Sequence, residues 1–80
     1  MTNEQILKDV LESYRSNNEW QSEIAERYHV GQSLISDLLQ ECGFHYHRDE
    51  NKNSIDIDIL SQKAKVQEIC DKIRIVNENK

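Results

Sequence analysis

The chain contains no proline, and its only two glycines are Gly31 and Gly43. Proline is the strongest helix breaker, and glycine is the residue most often found just past a helix end. An apolar stripe at helical spacing can therefore run until polar residues or one of these glycines stops it. The first stripe is Ile6, Leu7, Val10, Leu11 and Tyr14. The spacing i, i+1, i+4, i+5, i+8 is one face of an α-helix. Thr2 or Asn3 is its expected N-cap, with Glu4 and Gln5 suiting the positive end of the helix dipole. The polar stretch from Arg15 to Glu19 ends it, Asn17 and Asn18 being turn formers.

From Trp20 to Glu41 the pattern predicts two short helices. In the first, Ile24, Ala25 and Tyr28 share a face with Trp20 one turn earlier, and Ser22 is the expected N-cap. His29, Val30 and Gly31 make the break. The second begins at Gln32 or Ser33, carries the stripe Leu34, Ile35, Leu38, Leu39, and stops at Gly43. Trp20, Tyr14, Tyr28 and Tyr46 each fall on an apolar face and are expected in the core.

After Gly43 the period changes from 3.6 to 2. Phe44-His45-Tyr46-His47 alternates, and so does Ser54-Ile55-Asp56-Ile57-Asp58-Ile59, with loop composition over Asp49–Asn53 between them. This predicts a β-hairpin. One register sets His47 opposite Asp56 and His45 opposite Asp58, a pairing that would raise the histidine pKa values and make the hairpin's charge depend on pH. Ser61 to Asn77 returns to helical spacing. There Val66, Ile69, Ile73 and Val76 step 3-4-3, the seam of a short coiled coil.

Size bears on what that seam is for. Eighty residues form a single domain, and a chain this short buries only ~60–65% of the surface it exposes when unfolded. Apolar residues make up 36% of it and mean hydropathy is −0.84, against ~45–50% apolar in an average domain. The expectation is a homodimer through Val66, Ile69, Ile73 and Val76. The competing arrangement folds Val66, Ile69, Cys70 and Ile73 back onto the chain's own core. The net charge of −5 excludes a polybasic nucleic-acid tail. Charge is uneven, with five Lys/Arg against twelve Asp/Glu in residues 1–60 and five against three in residues 61–80. Two cysteines are too few for a disulfide scaffold, and no apolar run approaches the ~20 residues of a membrane span. A cytoplasmic protein with reduced thiols is expected.

The segment Trp-Gln-Ser-Glu-Ile-Ala-Glu-Arg-Tyr-His-Val-Gly-Gln-Ser-Leu-Ile-Ser-Asp-Leu-Leu, residues 20–39, resembles the helix-turn-helix of bacterial and phage regulators. Ile24-Ala25 resembles the apolar-Ala pair of the family's first helix, Tyr28 and Val30 its apolar residues around the turn, and Ile35 and Leu38 the buried anchors of its recognition helix. His29 stands where the family usually has glycine, and Asp37 where Arg or Lys is common. The following hairpin resembles the wing of winged-helix proteins. The resemblance implies a mainly α fold with a small β-hairpin: a winged helix-turn-helix over 1–60 and a dimerisation helix over 61–80, all one domain. It also implies a sequence-specific, double-stranded-DNA-binding transcription regulator of a phage or mobile element.

In that reading the exposed side chains opening the recognition helix read base edges. They are Gln32, Ser33, Ser36 and Gln40, with Asp37 beside them. Arg27, Arg48 and Lys52 are the expected DNA-backbone contacts, with His45, His47, Lys63 and Lys65 as further candidates. Cations are sparse: between Trp20 and Arg48 two arginines face Glu23, Glu26, Asp37 and Glu41. The alternative is an acidic helix-turn-helix scaffold that docks on another protein. Cys42, His45 and His47 lie close in sequence but match no zinc-finger spacing, so no metal is expected. No cofactor is expected either. No nucleophile–base pair or glycine-rich phosphate loop is visible, and Asp56 and Asp58 read as the outer face of a strand. An enzyme is not expected.

Overall fold

The computed structural model describes residues 1–44 and 56–79, and within them the chain forms five helices around one core. Helix α1, Asn3–Arg15, is opened by a reciprocal cap: Thr2 Oγ1 accepts from the Gln5 N–H at 3.1 Å, and Gln5 Oε1 accepts from the Thr2 N–H at 2.9 Å. Such a cap satisfies two of the amides that a helix start leaves without partners. Its apolar face, Ile6, Leu7, Val10, Leu11 and Tyr14, is buried as the spacing predicts. The helix gives way at Ser16, and the chain reverses through Asn18, which takes a left-handed φ of 55°.

Helices α2, Gln21–Arg27, and α3, Gln32–Glu41, are joined by the turn over residues 28–31. Ser22 lies inside the first turn of α2 rather than capping it; instead Glu23 Oε1 accepts from the Trp20 N–H at 3.2 Å. Both helices end the same way. After α2, the Val30 N–H bonds the Ala25 carbonyl at 3.0 Å and the His29 N–H bonds that of Glu26 at 3.1 Å, with His29 left-handed at φ 59°. After α3, Phe44 bonds Leu39 at 2.9 Å and Gly43 bonds Gln40 at 3.0 Å, with Gly43 at φ 96°. Each is the crossed pair that satisfies the last carbonyls of a helix through one left-handed residue. The second places Phe44 in the core, its ring edge-on to Tyr14 at 5.8 Å.

The expected wing is not formed. Among the described residues there is no strand, and the intended second strand is partly a helix, α4, Ile57–Ser61. Asp56 caps it by accepting from the Ile59 N–H at 3.2 Å. The Ile-Asp-Ile-Asp-Ile alternation that suggests a strand is followed by Leu60, and Ile57 and Leu60 stand three apart. That pair packs against the core while Ile59 is left 62% exposed. A strand would need a partner, whereas one helical turn on α1 buries two apolar side chains locally. The described part of the fold is thus mainly α, as expected, without the β-hairpin. The other intended strand and its loop, with His45, Tyr46, His47, Arg48 and Lys52, lie outside the described residues. The His47–Asp56 and His45–Asp58 pairing has no place here, because Asp56 and Asp58 belong to a helix start. The expected boundary between 60 and 61 falls inside α4.

Helix α5, Ala64–Glu78, lies across α1 and α3. Val66, Ile69, Cys70 and Ile73 are all buried in the chain's own core, and only Val76 of the expected dimer seam is exposed, at 40%. The fold-back arrangement holds, and Val66, Ile69 and Ile73 are packed into the chain's own core instead of forming a coiled-coil seam between copies. The reason is geometric: α1 and α3 leave an apolar trough between them, and α5 fills it. Polar groups fix its register. Asn3 Nδ2 donates to Gln67 Oε1 at 2.7 Å and Asp71 Oδ1 at 2.6 Å, Arg74 Nε donates to Asn3 Oδ1 at 3.0 Å, and Asn77 Nδ2 donates to the Tyr28 carbonyl at 2.9 Å. The bonds from Asn3 and Arg74 hold the Asp71 carboxyl below the usual range.

Cys42 and Cys70 are free and buried. Burial pushes the Cys42 thiol up to about 12 and the Cys70 thiol to about 11. Since the thiolate is the nucleophile, a disulfide-based thiol reagent at pH ~8 should label the native protein far more slowly than the denatured one. Fast stoichiometric labelling of native protein would contradict this packing. Because folding raises both values above the ordinary thiol value of 9.0, the neutral-thiol contribution is whole below pH ~9 and is lost as pH rises through about 11 and 12. Thermal stability should decline over that range, and less so in a Cys42→Ala/Cys70→Ala variant.

Candidate nucleic-acid interface

The outward face of α3 is set by its inward one. Ile35, Leu38 and Leu39 are fully buried, so Gln32, Ser33, Asp37 and Gln40 emerge on the opposite side, with Ser36 half-buried at the margin. The four expected base-reading residues, Gln32, Ser33, Ser36 and Gln40, are thereby gathered on one helix. Gln40 Nε2 rests 3.4 Å from Ser36 Oγ, a contact that a stronger acceptor would displace. Among the described residues α3 itself places no cation between them, and Asp37 adds a carboxylate; Lys65 and Lys72 of α5 line a groove with Asp37 and Gln40.

The turn that carries α3 depends on His29. A left-handed φ is strained for most side chains and worst for β-branched ones, while histidine tolerates it better. His29→Ile should lower stability by about 1–2 kcal/mol, whereas His29→Gly should match or exceed the wild type in chemical denaturation. Equal stability of all three would show that the turn carries no such strain.

Arg27 is not free to contact a phosphate. Its Nη1 donates to Asp9 Oδ2 at 2.8 Å, and its Nη2 to Ser13 Oγ at 2.7 Å and Glu19 Oε2 at 3.0 Å. The guanidinium lies 5.2 Å from the centre of the Tyr28 ring. Tyr28 Oη donates to the same Asp9 oxygen, and burial together with that bond pushes the phenol well above its ordinary pKa. The cluster clamps α2 to α1, and two carboxylates offset the arginine's charge. The hydroxyl of Ser13, which is buried, takes its hydrogen bond from Arg27. The sequence alone shows Arg27 as a lone cation near the recognition helix. Its partner Asp9 is 18 residues away, on another helix.

Trp20 departs from expectation in the other direction. It is 67% exposed, not in the core. It stands at the start of α2 and, with Tyr14, Gln21, Ser22 and Gln32, lines a shallow depression of about 240 Å³ beside the start of α3. Sequence spacing missed it because Trp20 precedes the first turn of α2 and does not follow that helix's face. Of the other candidates, Lys63 Nζ donates to the Glu41 carbonyl at 3.0 Å, and Lys65 lines a groove together with Asp37, Gln40 and Glu41 of α3. Arg48, Lys52, His45 and His47 are outside the described residues.

Among the described residues no group of three His, Cys, Asp or Glu side chains is placed to hold a metal, and no helix is long and apolar enough to cross a membrane. No family model matches the chain, and neither a curated protein nor a solved structure matches it.

Proposed function

We propose that α2, its turn and α3 form a DNA-binding helix-turn-helix, and that the protein is a small cytoplasmic transcription regulator of a phage or mobile element, acting as a homodimer. The observation that carries this reading is the α3 surface. Three buried anchors present Gln32, Ser33, Ser36 and Gln40 together on a helix held by a tight turn. Amide and hydroxyl side chains of this kind pair with base edges, glutamine bidentately with adenine. Asp37 in their midst is suited to accept from cytosine N4. Two copies would meet half-sites about one helical turn apart.

Protein docking is the second reading, and a specific observation favours it. The described surface around α3 offers acids, Glu23, Glu26, Asp37 and Glu41, while Arg27 is already engaged. Phosphate neutralisation supplies most non-specific affinity for DNA, and it scales with the free cations on the binding face. The experiment is a fluorescence-anisotropy titration of mixed-sequence duplex and of DNA from upstream of the protein's own gene, at ~50 and ~200 mM salt. Salt-sensitive binding with preference for one duplex is the expected result. Absence of binding at low salt by folded protein would leave the scaffold reading.

A further inference from the structure

We infer that the groove between α3 and α5 is the seat of a second copy of the chain, whose own α5 lies along it. The inference rests on the homodimer proposed above and names its interface. The groove has a volume of about 420 Å³ and an apolar floor that includes Leu34 and Ile69. Its walls differ in sign. Helix α3 contributes Asp37 and Glu41, and α5 contributes Lys65 and Lys72, with Glu68 beside them.

These charges are largely unspent within the chain. Among the described residues Asp37, Glu41 and Lys65 enter no ion pair, although Arg27 and Arg74 each make two elsewhere. Lys72 has only Glu68, one turn back on its own helix at 3.7 Å, both side chains more than half exposed. Such a pair is worth little and is readily exchanged.

The occupant such a groove fits is an amphipathic helix with cations toward α3 and apolar side chains toward the floor. Helix α5 has that pattern. Lys65, Ile69, Lys72 and Val76 stand at i, i+4, i+7 and i+11, one face of a helix. At its end Ile75 and Val76 are 51% and 40% exposed, an apolar pair with no cover in the monomer. Laid antiparallel along a partner's groove, α5 brings Lys65 and Lys72 to Asp37 and Glu41 and swings Ile75 and Val76 over the floor. Two-fold symmetry repeats each contact in reverse, so one chain supplies both complementary sets. An unrelated helix would satisfy each wall only once. The apolar strip would carry the affinity and the charges the orientation. Gln40 lines this groove as well, whereas Gln32, Ser33 and Ser36 do not and stay clear of it.

Sedimentation equilibrium on the whole chain tests this, with circular dichroism confirming that each variant is folded. The wild type is expected to dimerise. Lys65→Glu/Lys72→Glu and Asp37→Lys/Glu41→Lys should each weaken self-association at least tenfold, since each sets like charges against each other. An equimolar mixture of the two variants should regain dimers, because each restores the other's complement. Dimers unaffected by either reversal, or a mixture that stays monomeric, would overturn this interface while leaving the proposed dimer standing. A wild type that is monomeric at every concentration would remove both.

Discussion

Replacing Ile69 and Ile73 together by glutamate should unfold the protein rather than release folded monomers. In a coiled-coil seam the same pair would sit at a surface between chains, and charging it would cost only association. Here Ile69 is 6% exposed and Ile73 not at all, both on the face of α5 that closes the trough of α1 and α3. A carboxylate at Ile73 loses its hydration in the core, and one at Ile69 gives up its apolar packing even though Lys65 and Lys72 line the same groove. Losing each isoleucine also removes about 1.5–3 kcal/mol of apolar burial, before the larger penalty of burying a charge. A chain of this size has a net stability of only about 4–12 kcal/mol, which two such substitutions exceed. The expected result is loss of the helical circular-dichroism signal at 25 °C, with Val76→Glu, at an exposed site, keeping it. A well-folded monomer carrying both glutamates would mean that α5 does not lie in the core.

The second large effect concerns α3. Gln32→Ala/Gln40→Ala should remove most sequence preference while leaving salt-dependent, non-specific DNA binding nearly intact. A good bidentate side chain–base pair discriminates by about 1–3 kcal/mol, so losing two should lower specific affinity roughly 30-fold to 10⁴-fold, down to the non-specific floor. Neither glutamine packs in the core, so the fold should survive. Competition titrations of preferred against mixed-sequence duplex give the ratio directly. An equal, small loss on both duplexes would show that these amides do not read bases.

Much of this molecule is legible residue by residue. The face of α1, the break at His29–Gly31, the stop at Gly43 and the burial of Tyr14 and Tyr28 all follow from spacing and end chemistry. The candidate reading residues also lie where spacing puts them, because Ile35, Leu38 and Leu39 dictate which side of α3 faces out. The misreadings share a cause. Alternation over Ile55–Ile59 fits a strand when read alone, yet Ile57 and Leu60 fit a helix when α1 is there to receive them. Trp20 looks like a core aromatic until the direction in which the chain enters α2 is known. Arg27 looks like a phosphate contact until Asp9 and Glu19 are beside it.

By itself, then, the sequence determined the parts of the protein whose energetics are local: helix stripes, a capped start at Thr2 or Asn3, and the helix ends at His29–Gly31 and Gly43. These depend on residues within about a turn of one another, so neighbours in the chain are enough to specify them. Only the tertiary structure decided that α5 fills its own chain's trough, that residues 57–61 coil rather than extend, and that Arg27 is held by α1. In each case a local pattern allowed two outcomes, and the apolar surface or carboxylate that chose between them came from a distant part of the chain.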